Sequence, residues 1–130
     1  MKSITFFLYI LIFCTSCANT QPKNNIVQIT DRCLTDSISI SDIKGKKQSD
    51  GFMKTQITGR NTTNDYQKLE YKIVWIDNNG FIIQSILSNW RDVSADANQE
   101  FYITNISPNT KADDFKFYIR QNNKEIACNH

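Results

Sequence analysis

Apolar and polar residues alternate with a period of two along several short stretches of this 130-residue chain. The clearest stretch is 69–76 (LEYKIVWI), and a second covers 115–120 (FKFYIR). Successive side chains of a strand point to opposite faces, so this alternation predicts β-strands that cover a core with one face. Weaker matches to the same pattern occur at 101–104, 53–57, 38–43 and 26–29.

The loops between these stretches are polar and contain recognisable turn sequences. Asp77-Asn78-Asn79-Gly80 separates the stretch 69–76 from the apolar Phe81-Ile82-Ile83. Asn-Gly in that position predicts a hairpin with a type I′ turn, in which both central residues have positive φ. No amphipathic helical pattern of any length is present, and 93–100 is expected to hold a turn at most. Regular short strands joined by such loops predict a β-sandwich or barrel.

The beginning of the chain has the pattern of a secretory signal that ends at a cysteine. Lys2 precedes the apolar run 4–14 (ITFFLYILIFC), which is followed by two small residues and Cys17. A charged start, an apolar segment and small residues at the cut are typical of a signal peptide. With cysteine directly after the cut, the segment resembles a bacterial lipobox, although Cys14 stands where leucine is usual. In such a lipobox Cys17 is diacylated, freed by cleavage and N-acylated.

Two alternatives to lipidation are an uncut membrane anchor and an ordinary signal peptide that is cut near Cys17. Eleven apolar residues rise about 16 Å as a helix, against a hydrocarbon core of roughly 30 Å, which disfavours the uncut anchor. Ala18 rather than Asp follows the cysteine, which resembles lipoproteins sorted to the outer membrane. We therefore expect a signal peptide at 1–16, a lipidated cysteine and flexible tether at 17–25, and one domain at 26–130.

The charge balance of the mature chain argues against nucleic acid as a partner. Removing Lys2 with the signal leaves 14 Lys and Arg against 13 Asp and Glu. Binding of phosphates requires a clustered basic face, which a nearly neutral surface does not predict. The lysine run 44–47 (KGKK) is expected to be a solvated loop.

Cys33 and Cys128 remain as a pair once Cys14 leaves with the signal and Cys17 carries lipid. In an oxidising compartment these two cysteines are candidates for a disulfide. Such a bond would close nearly the whole domain and contribute up to roughly 4–5 kcal/mol in the chain-entropy model. The alternative is two free thiols.

The residues that commonly carry catalysis are poorly placed in this sequence. The single histidine, His130, is the last residue, whereas a general base needs a fixed orientation. Asp113 and Asp114 are adjacent, so a strand would direct them to opposite faces. A calcium loop beginning at Asp77 would need a bidentate Glu at its twelfth position, which is Ser88. We expect no enzyme activity, no metal site and no cofactor.

The order of several sequence blocks resembles a known family. Arg60-Asn61-Thr62 precedes the strand and turn at 69–80, and Trp90 follows. Further blocks are 101–103 (FYI), 107–109 (SPN) and 114–119 (DFKFYI). This order, from about 38 to 120 and behind a lipobox, is similar to the YcfL-type lipoproteins, also described as the DUF1425 group. The resemblance implies a small periplasmic β-sandwich of undetermined activity, and no catalytic or ligand residues carry over from it. Genes of that family often lie beside a lipoprotein that activates peptidoglycan synthesis, which suggests an envelope role by association.

Taken with the strand pattern, the resemblance leads us to expect an all-β fold, an immunoglobulin-like antiparallel β-sandwich. Trp75 is expected to be its core aromatic residue. Trp90, followed by Arg91, is either a rim residue that packs over the core or an anchor for a protein contact, since Trp and Arg are enriched in binding hot spots.

The leading hypothesis is a non-enzymatic lipoprotein on the periplasmic side of the outer membrane that contacts another envelope protein. One alternative is a β-sandwich lipoprotein of a secretion apparatus. Another is a glycan or small-molecule binding domain, for which Tyr102 and Tyr118 are the candidate stacking residues.

Lipidation at Cys17 is directly testable. Cells fed labelled palmitate should incorporate the label into the wild-type chain, and Cys17→Ser should abolish that labelling and release the protein from the membrane fraction. Stable anchoring needs two or more acyl chains, so the loss should be nearly complete. A Cys17→Ser chain that stays in the membrane would contradict the assignment.

Overall fold

The computed structural model describes residues 27–29 and 32–122, and this part of the chain forms seven β-strands and two short 3₁₀ helices. The predicted signal peptide at 1–16, the tether at 17–25, Cys128 and His130 lie outside the described residues. The strands are β1 Val27–Ile29, β2 Ile38–Lys47, β3 Met53–Asn61, β4 Gln67–Asp77, β5 Arg91–Ala95, β6 Glu100–Ile106 and β7 Ala112–Gln121. The 3₁₀ helices are Arg32–Asp36 and Ile86–Ser88.

The strands form two sheets that pack face to face as a β-sandwich. One sheet has the order β1-β7-β4-β5 and the other the order β2-β3-β6. Every pairing is antiparallel except that of β1, which runs parallel to β7. The predicted all-β sandwich is therefore confirmed, with one parallel edge strand that the sequence did not predict.

Alternate residues of the strands supply the core, as the sequence pattern predicts. Trp75 is 1% exposed and its ring lies 6.1 Å from that of Phe115 on the neighbouring strand β7. Tyr71 and Phe117 form a second aromatic pair at 6.4 Å. Burial of side chains this large contributes about 1.5–3 kcal/mol each, which makes the aromatic pairs a major part of the sandwich core. The prediction that Trp75 is a core residue is confirmed.

One strand was not predicted, and one local prediction was wrong. The stretch 93–100 holds no helix, as expected, but β5 continues into it as far as Ala95 by pairing with β4, Val93 opposite Leu69. The lysine run 44–47 was expected to be a loop, but it forms the end of β2 and pairs with β3. Its lysine side chains are exposed, as expected. In both places cross-strand partners, not local sequence, determine the strand.

The turn after β4 is a hairpin turn, but it is not of type I′. Gly80 has a φ of +86°, whereas Asn79 does not have positive φ. The backbone carbonyl of Asp77 accepts a hydrogen bond from Gly80 N at 3.0 Å, and its carboxylate accepts from Asn79 N and Phe81 N, both at 2.9 Å. The side chain of Asp77 thus holds the turn in place of the predicted backbone geometry. The returning chain pairs with β4 through one bridge, Ile76 opposite Ile82.

The Asn61 side chain connects the two sheets. It is fully buried at the end of β3 and donates hydrogen bonds to the carbonyls of Asp65, at 2.8 Å, and Ala95, at 3.0 Å. Its carbonyl oxygen accepts from Thr63 N at 3.0 Å and from Thr63 Oγ1 at 2.8 Å. Both amide protons and the oxygen of Asn61 are therefore satisfied. Because Ala95 belongs to β5, one of these bonds ties the edge of one sheet to the other.

Removal of the Asn61 amide should destabilise the domain strongly. Asn61→Ala leaves two carbonyls and one backbone amide without their partner, and we expect a loss of about 2–4 kcal/mol in the free energy of unfolding. Asn61→Asp should not restore it, because a carboxylate cannot donate to either carbonyl. Urea unfolding provides the measurement. Asn64→Ala removes an exposed amide of the same loop together with its hydrogen bond from Asn98 Nδ2 at 2.8 Å, so it should cost at most about 1 kcal/mol, and an equal loss in both variants would refute a special role for Asn61.

Candidate functional site

Trp90 lies on the outer face of the four-stranded sheet. The residue follows the 3₁₀ helix Ile86–Ser88 and precedes β5, and its side chain is half-buried. Arg120 places its guanidinium carbon 3.9 Å from the centroid of the Trp90 ring, and Lys72 Nζ lies 4.9 Å from that centroid. Trp90 is not among the partly buried residues that pack against the core. The ring therefore covers charged side chains of the outer face.

The neighbours of Trp90 are ordered by contacts of their own. Arg120 Nε donates to Glu70 Oε2 at 2.6 Å, and Lys72 Nζ lies 5.1 Å from the ring of Tyr118. The register of β4 and β7 produces this arrangement, since Glu70 pairs with Arg120 and Lys72 pairs with Tyr118. We refer to Glu70, Lys72, Trp90, Tyr118 and Arg120 as the Trp90 surface. Each of these partly buried surface contacts contributes only about 0.5–1 kcal/mol, but together they hold the ring in one orientation.

Arg91 does not belong to the Trp90 surface. It is the first residue of β5 and exposed, and its Nη1 donates to Asn105 Oδ1 on β6 at 3.3 Å. Neighbours in an extended chain point to opposite sides, so Arg91 lies at the edge between the two sheets while Trp90 covers one of them. The structure thus separates the two residues that the sequence placed together as a candidate contact.

The two tyrosines proposed as a stacking pair lie on different sheets. Tyr118 is on β7 beside Lys72, whereas Tyr102 is on β6, with 61% of its surface exposed. Tyr102 Oη donates to Glu100 Oε2 at 2.6 Å, and this hydrogen bond and the negative charge of Glu100 raise the pKa of the Tyr102 phenol. Two rings on opposite outer faces of a sandwich cannot stack on one ligand.

A shallow depression of about 250 Å³ lies near the Trp90 surface, where β5 ends. Its polar groups bond to one another: Tyr66 Oη is 2.7 Å from Ser94 Oγ, and Asn122 Nδ2 donates to Asp92 Oδ1 at 2.8 Å. Because these polar groups bond to one another, we regard the depression as a feature of the edge of the sheet at β5 and not as a ligand site. The sequence offered no signal for it, because its residues come from three separate segments.

The other sequence-predicted residues are dispersed. Asp113 lies 3.8 Å from Lys47 Nζ, while Asp114 Oδ1 accepts from the Phe115 amide at 2.8 Å. Within residues 34–122 no three potential metal ligands come together. The backbone of Cys33 lies in the first 3₁₀ helix, but Cys128 is outside the described residues, so their disulfide stays a prediction. In the part of the chain that the structure describes, no helix is long and apolar enough to cross a membrane.

Comparison with known proteins identifies the family. The family model described as "Protein of unknown function (DUF1425)" matches residues 25–121, which is most of the domain. The chain belongs to the DUF1425 family. The resemblance predicted from the order of sequence blocks is thereby confirmed.

Solved structures show the same fold. One from Campylobacter jejuni, named cj0090, has a TM-score of 0.64 and 21% identity, and the match covers 75% of this chain and 99% of that one. A DUF1425 family member from Shewanella sp. pv-4 has a TM-score of 0.59 and 25% identity, with 65% of this chain and 77% of that one covered. No curated protein matches the chain.

The two tryptophans should contribute to stability very differently. Trp75→Ala opens a cavity among buried rings and should cost about 3–5 kcal/mol. Trp90→Ala removes two cation–π contacts at the surface and should cost about 1–2 kcal/mol. Urea unfolding of both variants measures the difference. Equal losses would mean that Trp90 supports the core, contrary to its position on the outer face.

Proposed function

We propose that this member of the DUF1425 family is a non-enzymatic lipoprotein of the cell envelope, anchored through Cys17 on the periplasmic side of the outer membrane. Its domain would act as a protein-interaction module, with the Trp90 surface as the contact site. The single observation that carries this proposal is the Trp90 ring, displayed on an outer sheet face between Lys72 and Arg120.

The composition of the Trp90 surface favours a protein partner. Trp, Tyr and Arg are the residue types enriched at the energetic centres of protein interfaces. Here Trp90, Tyr118 and Arg120 lie together, with Glu70 bonded to Arg120. A ring and a guanidinium that are already ordered lose little side-chain entropy when a partner covers them.

A glycan-binding function receives less support from the same geometry. Sugar rings commonly bind where aromatic side chains line one groove, and Tyr102 and Tyr118 lie on opposite outer faces. The mixed charges around Trp90 fit a protein surface with complementary charges better than a neutral sugar.

Crosslinking in cells, followed by affinity purification and mass spectrometry, tests the proposal. Wild-type protein should recover at least one envelope protein that Trp90→Ala recovers roughly 30-fold less, the effect of a 2 kcal/mol hot spot. Tyr102→Ala is the matched control, since it removes an exposed aromatic ring from the other sheet. Arg91→Ala serves as a second control at the neighbouring position.

Circular dichroism should show that all three variants remain folded. Equal recovery of partners by Trp90→Ala and wild type would refute the Trp90 surface as the contact site. An equal loss in Trp90→Ala and Tyr102→Ala would indicate a general defect instead.

A further inference from the structure

The connection between β4 and β5 exposes more large apolar side chains than any other loop in residues 34–122. Phe81 is 71% exposed and Ile82 is 59% exposed, directly after the turn that ends β4. Ile86 and Leu87 follow on the same connection and are also exposed. Isolated apolar residues on a surface need no explanation, but a consecutive group of this kind typically marks a contact with another molecule or a membrane.

Phe81 and Ile82 lie at one particular end of the sandwich, which we call the entry end. There β4 ends at Asp77 opposite the first residue of β7, Ala112, and β2 ends at Lys47 opposite the first residue of β3, Met53. These ends of the two sheets lie next to each other, since Lys47 Nζ on β2 is 3.8 Å from Asp113 Oδ1 on β7. Ile106, 52% exposed at the end of β6, is also here.

The first described strand, β1, runs away from this same end. β1 is parallel to β7, with Val27 opposite Phe117 and Ile29 opposite Ile119. Since β7 begins at the entry end, Val27 is the residue of β1 nearest that end. The ten residues from Cys17 to Ile26 span at most about 36 Å when fully extended. A lipid on Cys17 would therefore keep Val27, which is on the entry-end side of β1, within that distance of the bilayer.

The charges at the entry end are compatible with a lipid surface. Lys46, Lys54 and Lys111 are exposed there. Their acidic neighbours make contacts of their own, although they keep their negative charge. The Asp50 carboxylate accepts from Phe52 N at 3.0 Å, that of Asp77 accepts from two turn amides, and that of Asp113 faces Lys47. Lysines beside exposed apolar residues are the combination that favours binding to anionic headgroups.

We propose that the entry end rests on the bilayer, with Phe81 and Ile82 inserted at the boundary between headgroups and acyl chains. The inference depends on the proposed lipid anchor at Cys17, which supplies the proximity. The anchor and the apolar turn then fix the orientation of the domain. The Trp90 surface, beside the middle of β4, stays clear of the lipid.

Quenching of tryptophan fluorescence by brominated lipids tests this orientation. Phe81→Trp and Tyr66→Trp add a tryptophan at opposite ends of β4, and Tyr66 is a matched control because it is aromatic and 51% exposed. The lipidated full mature chain of each variant is reconstituted in phosphatidylethanolamine–phosphatidylglycerol vesicles containing a lipid brominated on its acyl chain. The emission that Phe81→Trp adds to wild type should fall at least about twofold, and that of Tyr66→Trp should not change.

A second probe, Ile106→Trp, provides an independent test at the entry end on the other sheet and should also be quenched. Flotation of the vesicles reports the anchor separately. Protein that floats without quenching at either entry-end probe would refute the orientation while leaving the anchor intact. Protein that does not float would refute the anchor and this inference with it. Protection of the tryptophan in Phe81→Trp from acrylamide quenching without lipid, as in self-association or a protein contact, would also overturn the inference.

Discussion

The buried amide of Asn61 is the interaction on which the arrangement of the two sheets depends. Three of its hydrogen bonds go to backbone groups, and one of these, to the Ala95 carbonyl, crosses from β3 to β5. β5 is short and pairs within its sheet only with β4, and its other hydrogen bonds, such as that of Arg91 to Asn105, are exposed. Because Trp90 immediately precedes β5, the amide also helps to hold the residue that defines the candidate contact site. A buried polar group that is fully satisfied specifies one arrangement of the chain, whereas an apolar residue of the same size would tolerate several.

Much of this fold could be predicted from the sequence because the alternation of β4 and β7 is long. β4 alternates four apolar residues on one face and β7 alternates three, and one register buries them, with Trp75, Phe115 and Phe117 among the buried positions. β5 could not be predicted in this way. Its five residues include one large apolar side chain, Val93, and the strand exists because β4 offers an unpaired edge. The type of turn at 77–80 could not be predicted either. The Asp77 carboxylate accepts hydrogen bonds from two turn amides, and these bonds compete with the backbone preference of Asn-Gly.

The sequence predicted the types of residue at the candidate site, but not which residues lie together there. Trp90 and Arg91 were selected because both types are common in hot spots, yet an extended backbone directs neighbours apart. The partners that do surround Trp90 are Lys72 and Arg120, which are far from it in sequence and arrive through the pairing of β4 with β7. No local pattern identifies such partners. Conversely, the apolar character of Phe81 and Ile82 was plain in the sequence, but it suggested a resumed strand, and only the turn geometry shows that both side chains are exposed.

The two proposed surfaces have different physical requirements, and the fold separates them accordingly. Insertion at a lipid interface needs apolar side chains that project at an end of the domain, without a fixed mutual geometry. Recognition of a protein needs side chains held in one geometry, which the sheet register and the Arg120–Glu70 pair provide on a flat face. A domain held at one end by an anchor and a short apolar turn would present that flat face sideways, parallel to the membrane. A partner anchored in the same leaflet would then meet it after a search in two dimensions, at an effective concentration set by the nine residues between Cys17 and Val27.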